Sequence, residues 1–263
     1  MPTTSASDLE ALLGILAEAD EAALFHFRRG VNVRQKADGS PVTDADLACD
    51  SVLLAGLARC FPEDSVWSEE SGASGGLGSY RWVVDPIDGT SAFVEGLAHW
   101  GPTLARIAPD GRVVLGATSL PRLGETWSVH EGAGYFGNER LAALSGTGPR
   151  VVYVPSGLHK RTQLQWAGRA RCLGGTAAHL ALVARGAAAA VVVGPDWQLW
   201  DVAAGLGLID AVQGAARRVS DGAPLHVHDD AGKPFVAGNP EAVERLLNPT
   251  PPLLGGPHAQ PRT

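Results

Sequence analysis

Cysteine is scarce in this 263-residue chain, and the three present, Cys49, Cys60 and Cys172, are odd in number and form no CxxC pair. Each lies in an apolar or helical-looking stretch, which reads as buried thiols in a reducing compartment and not as a disulfide framework. Long apolar runs are missing as well. No segment reaches about 18 consecutive apolar residues without a charge or a break, so no membrane span is expected. The opening residues MPTTSASDLEALL carry acid early and lack a basic-then-apolar run, so they do not read as a signal peptide, and the cytoplasm is the expected location. Positive charge is in deficit: 21 Lys and Arg against 28 Asp and Glu give a net charge of -7. That argues against a surface that neutralises the backbone of a nucleic-acid polymer. A small anion remains a possible substrate, because bound divalent cations reverse the field inside a site.

What is present is the composition of a globular protein, 45% apolar and 19% charged, with length for one large domain or two modest ones. Leu9, Leu12, Leu13, Leu16, Ala19, Ala23 and Phe27 repeat at helical spacing behind Ser7 or Asp8 as the cap. VNVRQKADGSPVT reads as short strands around an Asp-Gly turn. A second helix is expected from Asp44 to Cys60, with Thr43 as a possible cap and Leu47, Leu53, Leu54 and Leu57 on its apolar side. SVWSEESG is a strand entering a polar turn, SGASGGLGS a loop, and Arg81–Val84 a short buried strand. Residues 103–133 have the pattern of a β-meander. After LSGTGPR the pattern changes to alternating strands and helices. The expected division is an N-terminal α+β half over residues 1–145, a C-terminal α/β half over 146–247, and a Pro-rich disordered tail over 248–263.

The most informative segment is WVVDPIDGTSAF, residues 82–93. A hydrophobic strand delivers Asp85 to its C-terminal end, Pro86 stiffens the turn, and Asp88 follows. Two carboxylates so close are costly unless a cation sits between them. Gly89 allows close backbone approach to a ligand, and Thr90 adds a hydroxyl where a helix begins and its amides favour phosphate. Three further segments are less specific alone. Taken alone, Ser68-Glu69-Glu70-Ser71 reads first as an exposed acidic loop. Asp201 in WDVAAG reads equally as an ordinary helix cap. In Lys36-Ala-Asp-Gly-Ser-Pro-Val-Thr-Asp-Ala-Asp46, Asp46 is placed to orient a hydroxyl.

Taken together and in this order, VTDAD, EES, WVVDPIDGTSAF, GGTAAHLALVARG and LWDVAAG resemble the inositol monophosphatase family of magnesium-dependent, lithium-sensitive phosphatases. The likeness spans residues 36–205 and its helix and strand pattern extends from about residue 8 to 247. It implies an α+β fold, a layered αβαβα sandwich with the metal cluster where the halves meet. It implies that Glu69, Asp85 and the Ile87 carbonyl hold one Mg²⁺, and that Asp85, Asp88 and Asp201 hold a second. Two or three metals per site, with Mn²⁺ as a substitute, go with it. Asp46, Thr90 and Glu69 become the catalytic set. Gly89, Thr90, Asp196, Gly175, Thr176 and Ala177 become substrate contacts, with Glu70 and Lys36 nearby. All these donors are oxygens, which suits a hard cation and not zinc. A homodimer is carried over as a family habit.

The leaving group is open. Before the WD pair the link GPDWQLWD is short, and its acid, Asp196, is offset from the glutamate that inositol phosphatases of the family use. Histidinol-phosphate phosphatases share a compact link, and GYFGNERLAAL is similar to them. Nucleotide 3'-phosphatases and sugar-phosphate phosphatases are further relatives, and a non-catalytic regulatory relative is the other class. Trp197, Trp200, His99 and Trp100 are either pocket walls or packing aromatics. His226 and His228 share one face of an HVH strand, either a second metal site or a solvated face.

Overall fold

The computed structural model describes residues 4–30, 32–36, 39–145, 151–158, 166–226 and 230–248. Ser5, upstream of the expected Ser7 or Asp8, caps helix α1 (Ala6–Arg29). Its hydroxyl accepts from the Asp8 amide while the Asp8 carboxylate accepts from the Ser5 amide, a reciprocal box that satisfies two orphan donors. Leu12, Ile15, Leu16, Ala19 and Ala23 form the buried stripe. Thr43 and Asp46 make the same box at the start of α2 (Asp44–Cys60). That box turns Asp46 inward, so the buried stripe of α2 runs through Ala45, Asp46, Cys49, Asp50, Leu53 and Leu57. Leu47, expected on the apolar side, is 42% exposed.

The strands β1 (Val33–Gln35) and β2 (Pro41–Thr43) form the hairpin expected before α2. The first half then builds one sheet from β3 (Ser65–Ser68), β4 (Gly72–Gly75), β5 (Arg81–Asp88), β6 (Gly101–Ile107), β7 (Val113–Leu120), β8 (Glu125–His130), β9 (Ala133–Phe136) and β10 (Glu139–Arg140), with α3 (Thr90–Val94) between β5 and β6. Its order is β10-β9-β8-β7-β6-β5-β3-β4. The stretch expected to be a loop after Ser71 thus contains an edge strand, β4, whose Gly-Ala-Ser-Gly sequence carries no strand-forming side chains of its own. β5 also runs four residues beyond Val84, through the first four residues of DPIDGT to Asp88.

The second half supplies β11 (Val151–Tyr153), β12 (Arg169–Arg171), α4 (Thr176–Ala184), β13 (Ala190–Val193), α5 (Leu199–Ala211), β14 (Ala215–Arg218), β15 (Phe235–Gly238) and α6 (Pro240–Leu247). They form a mixed sheet in the order β12-β11-β13-β15-β14. The sequence pattern did not announce β12, because Arg-Ala-Arg is exposed throughout and shows no apolar alternation. His226 lies outside any strand; His228 and the proposed tail beyond Asn248 lie outside the described residues.

The layers follow from which apolar faces meet. Leu12, Leu16, Leu53 and Leu57 cover Trp82, Val84, Leu104 and Leu115 on one side of the large sheet. On its other side Leu199, Ala203 and Ala204 of α5 cover Val83, Ala105 and Ile107. Leu180, Val183 and Leu206 then meet Val191, Phe235 and Ala237 of the small sheet. Val243 and Leu246 of α6 close the far side over Val152, Ala190 and Val236. The result is the αβαβα sandwich expected from the resemblance. Side chains alternate along β5, so Trp82 and Val84 face α1 and α2 while Val83 faces α5. The same period directs Asp85 toward α5.

Candidate active site

Strand β3 runs parallel to β5, with Ser68 opposite Val84. Both chains therefore leave the sheet at one edge, where the Glu69 amide donates to the Val84 carbonyl at 3.0 Å. Glu69 and Asp85 become neighbours although fifteen positions separate them. Beyond Asp85 the pairing of β5 with β6 slips, and the Ile87 amide donates to Asp85 Oδ1 at 3.0 Å. Gly89 then turns the chain at φ 85°, capping α3. A Cβ here would lie 2.8 Å from the Gly175 nitrogen, so the two glycine loops touch backbone to backbone. Asp88 crosses that contact. Its carboxylate accepts from the amides of Thr176 at 3.0 Å and Ala177 at 2.9 Å, at the start of α4. Asp201 sits at the third position of α5 and accepts from the Gln198 amide at 2.7 Å.

Glu69, Asp85, Asp88, Thr90 and Asp201 thus line one cleft of about 370 Å³. Burial drives up the pKa of Asp85, and the charges of Glu69, Asp88 and Asp201 push it further, well above the usual carboxylate range. Asp88 is pushed up to about 8 by burial and then by Asp201, against the opposing pull of the α4 amides. Asp201 rises to about 7, again through burial first, with Glu69 adding and the Gln198 amide opposing. Asp85 feels the charges of the other three, Asp88 that of Asp201, and Asp201 that of Glu69, so the four share one electrostatic neighbourhood. Positive charge enters from Lys36, whose ammonium lies 2.6 Å from both Glu69 Oε1 and Glu70 Oε1. Burial works against that ammonium, but the two hydrogen bonds outweigh it and hold its pKa above the ordinary lysine value.

The donor set suits a hard divalent cation: four crowded carboxylates, a nearby carbonyl at Ile87, and no histidine or cysteine among them. Among the described residues no three acidic, histidine or cysteine side chains already converge into a closed cage; Glu69 leans on Lys36 and Asp88 on the α4 amides. Thr90 Oγ1 lies 3.1 Å from Asp46 Oδ1 and 3.2 Å from the Ile87 carbonyl, and its single proton serves one acceptor at a time. Asp46 is 1% exposed, and burial raises its pKa despite the donors at Thr43 and Thr90.

A model of the inositol monophosphatase family matches residues 6–249. The chain belongs to the inositol monophosphatase family. A histidinol-phosphatase of Chlorobaculum parvum is 31% identical over 220 residues, covering 79% of this chain and 84% of that protein. An inositol-1-monophosphatase of Mesorhizobium japonicum is 29% identical over 262 residues, covering 90% of this chain and 94% of that protein. The extragenic suppressor protein suhB of Bartonella henselae superposes with a TM-score of 0.82 over 93% of this chain and 99% of that chain, at 22% identity, which speaks to the fold alone. As a member of this family the chain is a phosphoric monoester hydrolase, of a kind that is generally Mg²⁺-dependent and binds small phosphorylated metabolites.

Against this family frame, the substrate contacts expected from sequence divide. Gly89, Thr90, Gly175 and Thr176 line the cleft. The amides of Thr176 and Ala177 are engaged by Asp88, and Asp196 does not line the cleft at all. The Asp196 amide instead donates to the Gly232 carbonyl. The four candidate wall residues stand outside the cleft lining too. Trp197 is buried with its indole N–H on the Lys233 carbonyl, and Trp100 is buried against Phe27 and Phe93. Trp200 packs edge-on against Trp67.

Two residues escaped the sequence reading. Asp50, 3% exposed, accepts hydrogen bonds from the hydroxyls of Ser68 and Ser71. It clamps the turn that carries Glu69 and Glu70 against α2. Its signal was an acid one helical turn after Asp46, on the same face. His179 lines the cleft, stacks on Tyr153 with ring centroids 5.0 Å apart, and accepts from the Leu173 amide at 3.0 Å. Burial, followed by His99, lowers its pKa to about 4, so it is a neutral wall at physiological pH. Nothing in its local sequence separates it from a core histidine.

Proposed function

We infer that the protein hydrolyses the phosphate monoester of a small soluble metabolite by attack of an activated water, with two or three Mg²⁺ per site and Mn²⁺ as a substitute. The observation that carries this reading is the convergence of Glu69, Asp85, Asp88 and Asp201 on the cleft that holds the Thr90–Asp46 pair. Glu69, Asp85, the Ile87 carbonyl, Asp88 and Asp201 would hold the cations. Bound there, divalent cations offset the mutual repulsion of the acids, neutralise the ester's phosphate and make a nearby water more acidic. The residues of the chain do the rest. The Gly89 and Thr90 amides face the phosphate oxygens. Thr90 Oγ1 orients the attacking water by accepting its hydrogen, while its own proton rests on Asp46 Oδ1. Asp46, buried and with a raised pKa, is suited to take up that proton. Lys36 steadies Glu69 and Glu70.

Histidinol phosphate is the first candidate ester. The link between β13 and α5 is short, and a histidinol-phosphatase is among the similar proteins. Inositol monophosphate is the second, on the similarity to an inositol-1-monophosphatase; nucleotide 3'-phosphates and sugar phosphates follow. Free thiols at Cys49, Cys60 and Cys172 support a cytoplasmic setting, and lithium inhibition and homodimerisation belong to the same reading. The test is phosphate release from a panel of these esters, with Mg²⁺, with Mn²⁺ and with chelator, beside Thr90→Ala and Asp85→Asn. Release that needs a divalent cation and falls by about 100-fold or more in both variants is expected. Equal inactivity of wild type and variants on every ester would instead favour a non-catalytic relative.

A further inference from the structure

Five carboxylates line the cleft: Glu69, Asp85, Asp88, Asp201 and Glu95. No lysine or arginine among the described residues lines it. The first four acids are drawn together by the ends of β3 and β5 and the start of α5, and cations suited to them balance their charge. Glu95 stands apart. It caps the C-terminal end of α3, is exposed, and has no ion pair or side-chain hydrogen bond with a described residue. Glu95 and Cys172 line the same cleft, and the Glu95 charge adds to the upward shift of the Cys172 thiol, whose first cause is desolvation.

Glu95 follows Thr90 by five residues, just past the end of α3, and both line the cleft. A carboxylate in the same cleft repels a phosphate dianion held near Thr90. The repulsion becomes attraction when the ester itself carries a positive charge on its leaving alcohol. Leu97, 44% exposed, lines the cleft beside Glu95 and offers an apolar surface to the carbon frame of such a group. A neutral polyol would leave Glu95 unmatched.

We propose that Glu95 is a specificity residue that selects phosphate monoesters whose leaving alcohol bears a cationic nitrogen, over esters of neutral polyols. The proposal rests on the phosphomonoesterase reading above and adds a charge to its substrate.

The experiment compares kcat/KM for histidinol phosphate, the cationic probe, and for inositol 1-phosphate, the neutral one, in saturating Mg²⁺. Wild type, Glu95→Gln and Glu95→Lys are measured at low and high salt. Glu95→Gln is expected to lower the histidinol-to-inositol selectivity by about 10-fold, through a higher KM for the cationic ester and a modest gain on the neutral one. Glu95→Lys should move the ratio further the same way. The wild-type preference should shrink as salt rises, because an exposed charge pair is screened; this readout does not depend on any variant folding. A ratio unchanged within about twofold in both variants, with both esters hydrolysed, overturns the proposal and leaves the phosphomonoesterase reading standing. So does a wild-type preference for the inositol ester. Mg²⁺-independent inertness on both esters would sink the phosphomonoesterase reading and this proposal with it.

Discussion

Asp88 binds the first amides of α4 through a carboxylate that comes from the end of β5, 88 positions upstream of Thr176. One side chain therefore serves as the cap of a helix and as a member of the acidic cluster. The cap is favourable at a helix N-terminus, and the cluster is not. Asp88→Asn separates the two. The amide keeps an acceptor oxygen for α4 and loses the repulsion from Asp201. Turnover is expected to fall by about 100-fold or more, while the melting temperature in chelator stays level or rises. A drop of more than about 5 °C would show that the capping role dominates.

The acidic cluster also sets how the chelated protein responds to pH. Asp88 at about 8 and Asp201 at about 7 stand above the ordinary 3.8. A raised folded-state pKa means that the native protein binds the extra proton. Its stabilising effect is fully present below the unfolded value and is lost as pH rises through 7 to 8. Melting in chelator should therefore fall steadily from about pH 5 to about pH 9, by a few kcal/mol in stability, and saturating Mg²⁺ should flatten the slope. A rise with pH in chelator would contradict the assignment.

Asp50 offers a test of support without direct contact to a ligand. Asp50→Ala frees the hydroxyls of Ser68 and Ser71 and loosens the turn bearing Glu69. The half-saturating Mg²⁺ concentration should rise by about 10-fold, with KM for the ester moving much less. Calorimetric titration of Mg²⁺ should show the same weakening without substrate. Stability should drop by about 1–3 kcal/mol, since the buried Ser68 hydroxyl loses its acceptor.

Two glycines make opposite predictions. A Cβ at Gly175 would sit 1.9 Å from Asp88 Oδ2, so Gly175→Ala must displace either Asp88 or the α4 loop and should abolish turnover. Gly14, inside α1, has nothing within 4 Å of its would-be Cβ. Gly14→Ala should raise stability by about 0.5–1 kcal/mol and leave turnover alone. Thermal melts and ester hydrolysis on the pair of variants check both.

Much of this was legible one-dimensionally. Local rules sufficed for α1, α2, the meander from β6 to β9, and the turn after β5, because 3.6-fold and twofold apolar spacing and cap chemistry act over a few residues. They failed where a segment takes its form from a neighbour. β4 exists only because β3 offers its edge, and β12 only because β11 does. Trp197 and Trp100 were left open in sequence between pocket walls and packing aromatics, and the fold decides for packing, with their indole N–H groups on the Lys233 and Leu97 carbonyls.

The sequence by itself determined the chemistry: the carboxylates, the glycine turn after Asp88 and the hydroxyl at Thr90 are all present in order, whatever the fold does with them. Only the tertiary structure decided which charges meet. The parallel pairing of β3 with β5, the capping of α4 by Asp88 and the burial of Asp50 are long-range contacts. Their energies depend on distance and solvent exclusion, and neither quantity is written in the spacing of residues along a chain.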